Sequence, residues 1–371
     1  MSEKKKVGVV TLNGYYNYGN RLQNYAVEYI LKEMGCEVET IVKINKNDHK
    51  KGFFDKLGKI KNKSLDEIID FVKKKINKKI YNYKYYDVIQ KKNQKFKQFS
   101  EQFLTEKKYK IDENLDKEFD YFVAGSDQVW NPTNQYPSFE FLDFTSNSKK
   151  IAFSPSFGVS EIPDSHKTNY RNWLDDFSFL SIREEAGAKI IKELTGRDAK
   201  VLVDPTMLLT NNHWKSIIEE DDFKPNNKYL LTYIIGDRLK KWNDQIYQIA
   251  DDEDLEIVNL ADVHDKKRFV AGPSEYLDYF SSAEVIFTDS FHGTIFSILF
   301  NKPFVVFERT SSCNMISRLE TLLNIFNFKN RFFDNLEYED ILNINFLEVN
   351  EILYKERKKA TKYLKNALMR N

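Results

Sequence analysis

Short apolar runs that stop on small or polar residues recur along the chain, with helically spaced apolar positions between many of them. Val7 to Leu12 stops at Asn13-Gly14, and Leu22, Ala26, Tyr29, Ile30 and Met34 then return at the three-to-four spacing of a buried helix face. Gly35 ends that helix and Val38 to Val42 reads as the next strand, so the chain opens as a βαβ unit, which requires a parallel sheet. Four further runs follow. Phe119–Ala124 stops at Gly125-Ser126-Asp127, Ile151–Phe153 at Ser154 to Gly158, Phe179–Ile182 at Arg183-Glu184, and Val201–Val203 at Asp204-Pro205. A second series, Tyr229–Ile235, Glu256–Leu260, Val285–Thr288 and Pro303–Phe307, alternates with helical patterns at Leu239–Ala250, Ser274–Ser281 and Ile295–Phe300. Leu347 to Leu368, rich in Lys and Glu, reads as a closing helix.

Two such series predict an α/β fold of two Rossmann-like domains: 1–210, 211–346, and a C-terminal helix over 347–371, with Trp214 and Pro225 near the junction. Between Lys43 and Lys110 lysines outnumber acids, aromatics are scattered among them, and Leu65, Ile68, Ile69, Val72 and Ile76 recur at helical spacing. That stretch predicts helices inserted into the first domain.

A length of 371 residues fits two domains of ordinary size, and 41% hydrophobic with 30% charged residues is a globular balance rather than a disordered one. The 57 Lys and Arg nearly cancel 56 Asp and Glu, so the net charge of +1 offers no global field for nucleic acid. Cys36 and Cys313 stand far apart without metal-ligand spacing, which argues against a disulfide framework or a zinc site and suits a reducing cytoplasm. The apolar run after MSEKKK is too short for a signal-peptide core or a membrane span, so export by that route is not expected.

In open parallel sheets ligands sit beyond the carboxyl ends of the strands, so chemistry is sought in the strand endings. Thr288-Asp289-Ser290-Phe291-His292-Gly293-Thr294 joins an apolar strand to an apolar helix. Free amides of that helix and the hydroxyls of Ser290 and Thr294 are expected to converge on an anion, with His292 adding charge or a transferable proton. The plainer account is a capped helix with Gly293 in a tight turn and a core histidine. Asn17, Gly19 and Asn20 end the first strand as a sugar or phosphate loop would, or as a turn with an Asn cap; neither GxGxxG nor a Walker loop is present. Arg183 can grip phosphate or carboxylate, or pair with Glu184 and Glu185. In GSDQVW, Asp127 is a candidate base, and Ser126, Gln128, Trp130 and Asn131 suit a carbohydrate face, although a buried Trp in a turn explains the same letters. Glu308, Arg309 and Arg318 follow the last strand and suit either ligand or solvent, and Asp204-Pro205 reads as a structural strand terminator.

Taken in order, GVVTLNGYYNYGNRLQNYA, FDYFVAGSDQVWNP, FSPSFG, SIREEAG, LVDPTMLL and TDSFHGTIFSILFNKPFVVF resemble the polysaccharide pyruvyl transferase family. The resemblance implies a GT-B-like arrangement, two Rossmann-like domains facing each other across a cleft with the acceptor on the first and the donor on the second. It implies transfer of a pyruvyl group from phosphoenolpyruvate to a sugar of a cell-surface polysaccharide or its lipid-linked precursor, forming a ketal, with no metal or dinucleotide cofactor. His292 is then assigned to proton transfer or phosphate contact, Arg183 to donor phosphate or carboxylate, and Asp127 to the acceptor's base. Some members of the family carry an arginine where this chain has Ser290; either Arg309, Arg318 or Lys302 stands as its replacement, or this branch uses a different donor or acceptor.

Two other readings fit these residues: a glycosyltransferase of the same architecture using a nucleotide sugar, and a non-catalytic glycan-binding relative. The lysines of the insert, interleaved with Tyr and Phe, suit peripheral contact with anionic lipid at the inner face of the membrane, and equally a solvated helix face.

Overall fold

The computed structural model describes residues 4–44, 80–111, 114–134, 137–309 and 316–369. Leu65 to Ile76 of the expected insert lie outside them.

The first sheet has five parallel strands in the order β3-β2-β1-β4-β5, formed by β1 (Lys6–Val10), β2 (Glu37–Lys43), β3 (Glu106–Tyr109), β4 (Tyr121–Ala124) and β5 (Lys150–Ala152). A parallel bridge between Ile151 and Phe179 carries the pairing on toward a two-stranded sheet, β6 (Ser181–Ile182) and β7 (Lys200–Val201). The second sheet orders β8 (Tyr229–Tyr233), β9 (Glu256–Asn259), β10 (Val285–Thr288) and β11 (Phe304–Val306) as β11-β10-β8-β9, again all parallel. In each main sheet the strand order reverses direction next to the first strand, at β1/β4 and at β8/β10. These switch points open crevices at the carboxyl ends.

Helices cover both faces. α1 (Tyr18–Glu33) starts on Asn17, whose side chain accepts from the Asn20 amide at 3.3 Å, and it is buried along most of its length between the two halves. Behind it come α2 (Tyr86–Phe103), α3 (Asp164–Asp175) and α4 (Glu185–Thr195), the last closed by Gly196 at φ +74°. The second half contributes α5 (Lys240–Asp252), α6 (Pro273–Ser282), α7 (Phe291–Leu299) and α8 (Ile316–Ile325). α7 is buried on every side, as its nearly continuous apolar sequence requires. α9 (Val349–Leu368) returns to the first half, where Tyr363 donates to the Ala152 carbonyl at 2.6 Å and Arg357 to the carbonyls of Met207 and Leu209.

One apolar cluster runs from Val7, Val9 and Leu22 through Tyr276 and Phe280 to Ile286 and Ile295, so the two halves share a core. Separate clusters fill the outer face of each main sheet, around Phe122, Trp130 and Phe141 in the first and Trp242, Phe287 and Phe307 in the second.

The expected α/β fold with two Rossmann-like sheets is what the chain adopts. The insert needs one correction: Glu106–Tyr109 is not helical but forms the edge strand β3, pairing with Thr40 to Lys43. Among the described residues no helix is long and apolar enough to cross a membrane.

Candidate active site

The carboxyl ends of the two sheets meet, and the residues that close each strand face one another there. From the first half come Ser126 to Gln128 after β4, Ser154 to Gly158 after β5, Arg183 and Glu184 after β6 and Asp204 after β7. From the second come Asp289 to His292 after β10, Arg309 after β11 and Arg318 on α8. The loop backbone is unusual at this place: Asp127 and Ser154 hold φ of 69° and 49°, in the left-handed region that residues other than glycine seldom enter. Such conformations persist where the surroundings dictate them, commonly at ligand sites.

Asp204 sits at the centre and is buried. Its Oδ2 accepts from Arg183 Nη1 at 2.6 Å and from the Ser126 hydroxyl at 3.2 Å, and lies 3.5 Å from His292 Nε2. Its Oδ1 accepts from the amide and hydroxyl of Thr206, capping a short 3₁₀ turn over Pro205–Leu208. Burial alone would push this carboxyl up. The facing His292 and Arg183 and the bonds from Thr206 outweigh it and hold the group well below the usual carboxylate range. Arg183 also donates through Nη2 to Asp127 Oδ1 at 3.1 Å, and its guanidinium lies 4.3 Å from the Phe291 ring centre. Burial lowers the Arg183 pKa, but Asp204 and Asp127 more than reverse that and raise it. Asp127 is held low in turn: burial opposes ionisation, and Arg183, His292 and Arg318 overcome it.

His292 reaches this centre from the first turn of α7, with its Nδ1 edge against Gly19 of α1. A Cβ built on Gly19 would stand 2.0 Å from Nδ1, so only glycine admits the ring. Asp289 anchors the same turn from behind, accepting from the amides of Ile235 and Gly236 at 2.8 and 2.7 Å and pairing with Arg309 Nε at 2.9 Å. Arg318 is buried, and its Nη1 and Nη2 lie 3.0 and 3.1 Å from the Gln128 side-chain oxygen once that amide faces them. Glu308 is exposed and lines a pocket together with Phe291, Arg309 and Arg318.

The structure thus gathers His292, Arg183, Asp127, Ser126, Gln128, Gly19 and Arg318 and redirects several expectations. Asp127 is no free base, because its carboxylate is paired with Arg183. Arg183 takes Asp204 and Asp127, not Glu184 or Glu185, as its carboxylate partners. The hydroxyls of Ser290 and Thr294 do not converge on one point: Ser290 Oγ caps α7 by accepting from the Gly293 amide at 3.3 Å, and Thr294 Oγ1 donates to the Ser290 carbonyl at 3.1 Å. Gly293 packs on Thr288, whose hydroxyl a Cβ would approach to 2.6 Å. Trp130 is wholly buried and stacked on Phe141 at 4.9 Å, a core residue and not a sugar plate. Asn131 is buried beside it and accepts from Thr133. Asn17 caps α1, and Asn20 is buried in the next turn, with its carbonyl accepting from Gln23 at 3.0 Å. Lys302 precedes β11, where Pro303 pairs with Ile286 at the amino ends of the strands, and so lies away from the site. Asp204 is the residue that sequence reasoning set aside as structural. Asp-Pro after a strand is a cap signal, and it is a true one, but only Oδ1 serves the cap.

Fold and site together define an α/β protein whose two Rossmann-like halves enclose a buried cluster of cations and carboxylates at their facing strand ends. The polysaccharide pyruvyl transferase family model matches residues 17–311, and the chain belongs to that family. Comparison with curated proteins returned no match. Among solved structures, UDP-GlcNAc 2-epimerase from Neisseria meningitidis bound to UDP-GlcNAc is similar at 12% identity and TM-score 0.46, covering 99% of this chain and 100% of that one. UGT89C1 of Arabidopsis thaliana complexed with UDP-L-rhamnose is similar at 9% identity and TM-score 0.47, covering 99% and 98%.

Proposed function

We propose that this chain transfers the pyruvyl group of phosphoenolpyruvate to a sugar of a cell-surface polysaccharide or its lipid-linked precursor, in the cytoplasm where that donor is made. The observation that carries the reading is the single buried carboxylate of Asp204 facing both Arg183 and His292, an arginine from one half of the molecule and a histidine from the other. The reaction needs a proton on the donor's methylene carbon and cations against its phosphate and carboxylate. His292 supplies the proton and the arginines balance the anion. Protonation leaves a cationic carbon that a sugar hydroxyl attacks; phosphate then departs and a neighbouring hydroxyl closes the ketal. With Asp127 and Asp204 both paired to Arg183, the hydroxyl protons go to departing phosphate or solvent, not to Asp127.

The test is phosphate release from phosphoenolpyruvate in the presence of galactose-, glucose- and N-acetylhexosamine-terminated oligosaccharides, with the ketal methyl group followed by NMR. One of these acceptors is expected to support release, and His292→Gln to slow it by roughly 10²-fold or more. Release of a nucleoside diphosphate from a nucleotide sugar, with none of phosphate from phosphoenolpyruvate, would assign the chain to sugar transfer instead.

A further inference from the structure

Of the three arginines at the facing strand ends two hold carboxylates and one does not, while the buried Glu184 carboxylate accepts, among the described residues, only from Ser156 and the Phe157 amide. Arg183 holds Asp127 and Asp204, and Arg309 holds Asp289. Arg318, 6% exposed, has no carboxylate of the described residues within ion-pairing distance. Its hydrogen-bond partner is the neutral Gln128 amide, which takes one N–H from each Nη and leaves the Nε–H and the outer N–H groups unused. The neighbouring Ser317 hydroxyl is buried and also unpartnered. Burial lowers the Arg318 pKa to about 10, Arg183 adds repulsion, and Asp127 and Glu184 attract from farther away.

An ionised guanidinium taken out of water without a counter-charge is strongly disfavoured unless a ligand completes it. Arg318 stands in the first turn of α8, where the helix dipole also favours an anion. The pocket on its open side is lined by Phe291, Arg309, Ile316 and Leu319 and by two acids, of which Asp289 is paired with Arg309 and Glu308 is exposed to solvent. Phe291 lies between the two guanidinium groups, 4.3 Å from Arg183 and 5.5 Å from Arg318.

We propose that Arg318, with Gln128 steering its guanidinium and Ser317 beside it, is the primary anchor for an oxyanion of the small-molecule donor. On the transferase reading, on which the donor's identity rests, that oxyanion is the carboxylate or phosphate of phosphoenolpyruvate. Arg183, already neutralised twice, then acts on charge that develops later in the reaction. Arg318 lies outside residues 17–311 that match the family model. It supplies the cation that Ser290 does not.

The experiment is thermal unfolding of the full chain and of Arg318→Met and Arg318→Gln, each with phosphoenolpyruvate, pyruvate or inorganic phosphate. Phosphoenolpyruvate is expected to raise the wild-type Tm, and pyruvate against phosphate to show which oxyanion is held. Arg318→Met, which removes an unmatched buried charge, is expected to melt at or above the wild-type temperature without ligand while binding the anion at least tenfold more weakly. Arg318→Gln decides the matter if the Met variant does not fold. Undiminished anion binding in either folded variant, or no response of the wild type to any of the three anions, would overturn the proposal. A wild type that responds to phosphate through Arg318 but never releases phosphate from phosphoenolpyruvate would keep the anchor and remove the transferase reading. Equal release by wild type and Arg318→Gln would do the reverse.

Discussion

At the scale of single residues, the centre of the site is one carboxylate with two separate duties. Asp204 Oδ1 is fixed by Thr206 and Oδ2 faces Arg183 and His292, so the cap sets the position from which the ion pairs are made. Asp204→Asn keeps the shape and an acceptor for Thr206 but removes the charge that faces Arg183 and His292. On the proposed reaction we expect kcat for phosphate release to fall on the order of 10²-fold or more, with the chain still folded by circular dichroism. A folded variant with kcat within a few-fold of wild type would mean that the charge of Asp204 plays no part in turnover. This residue also shows why the site was only partly legible. Arg183 and His292 stand out because their types are rarely buried without a reason, whereas Asp-Pro after a strand carries a complete structural explanation of its own. Trp130 fails in the opposite direction: an indole serves a sugar face and a core equally well, and only the stacking on Phe141 decides between them.

At the scale of elements, strand endings were legible because each apolar run is short and stops on small or polar residues, and all but one of the strands follow that rule. β3 does not. Its sequence, EKKY, has the charged character of an edge strand, which blends into the lysine-rich stretch before it. What no pattern along the chain conveys is how closely α1 and α7 approach, since the contact joins residues of different halves. Gly19 is where that contact is tightest, with His292 Nδ1 2.0 Å from the position of a Cβ. Gly19→Ala forces the imidazole to move or α1 to shift, because neither neighbour is a flexible chain end. The expected result is loss of nearly all phosphate release with Tm lowered by a few degrees, as a local overpacking of about 1–3 kcal/mol would do. Retention of wild-type activity by Gly19→Ala would show that His292 does not work from the position it occupies against α1.

At the scale of the whole molecule, the halves are joined by a common apolar core and, at the site, by charges buried where that core ends. The two joints respond differently to acid. The apolar contacts are indifferent to pH, but Asp127 and Asp204 are both held below the ordinary carboxylate range in the folded chain. In the unfolded chain an aspartate titrates near about 3.9, so each group contributes its stabilisation fully above that value and loses it as pH falls further below. Folded wild type should therefore weaken steeply under acid, each such carboxylate adding up to about 1.4 kcal/mol per pH unit below roughly pH 4. Asp204→Asn cannot titrate at this position, so its urea-unfolding free energy should fall less steeply, and its deficit against wild type should narrow between about pH 5 and pH 3. A deficit that stays constant over that range would mean that Arg183 and His292 do not hold the Asp204 carboxyl below its unfolded value. The charge that joins the two halves would then have to come from Asp127 alone.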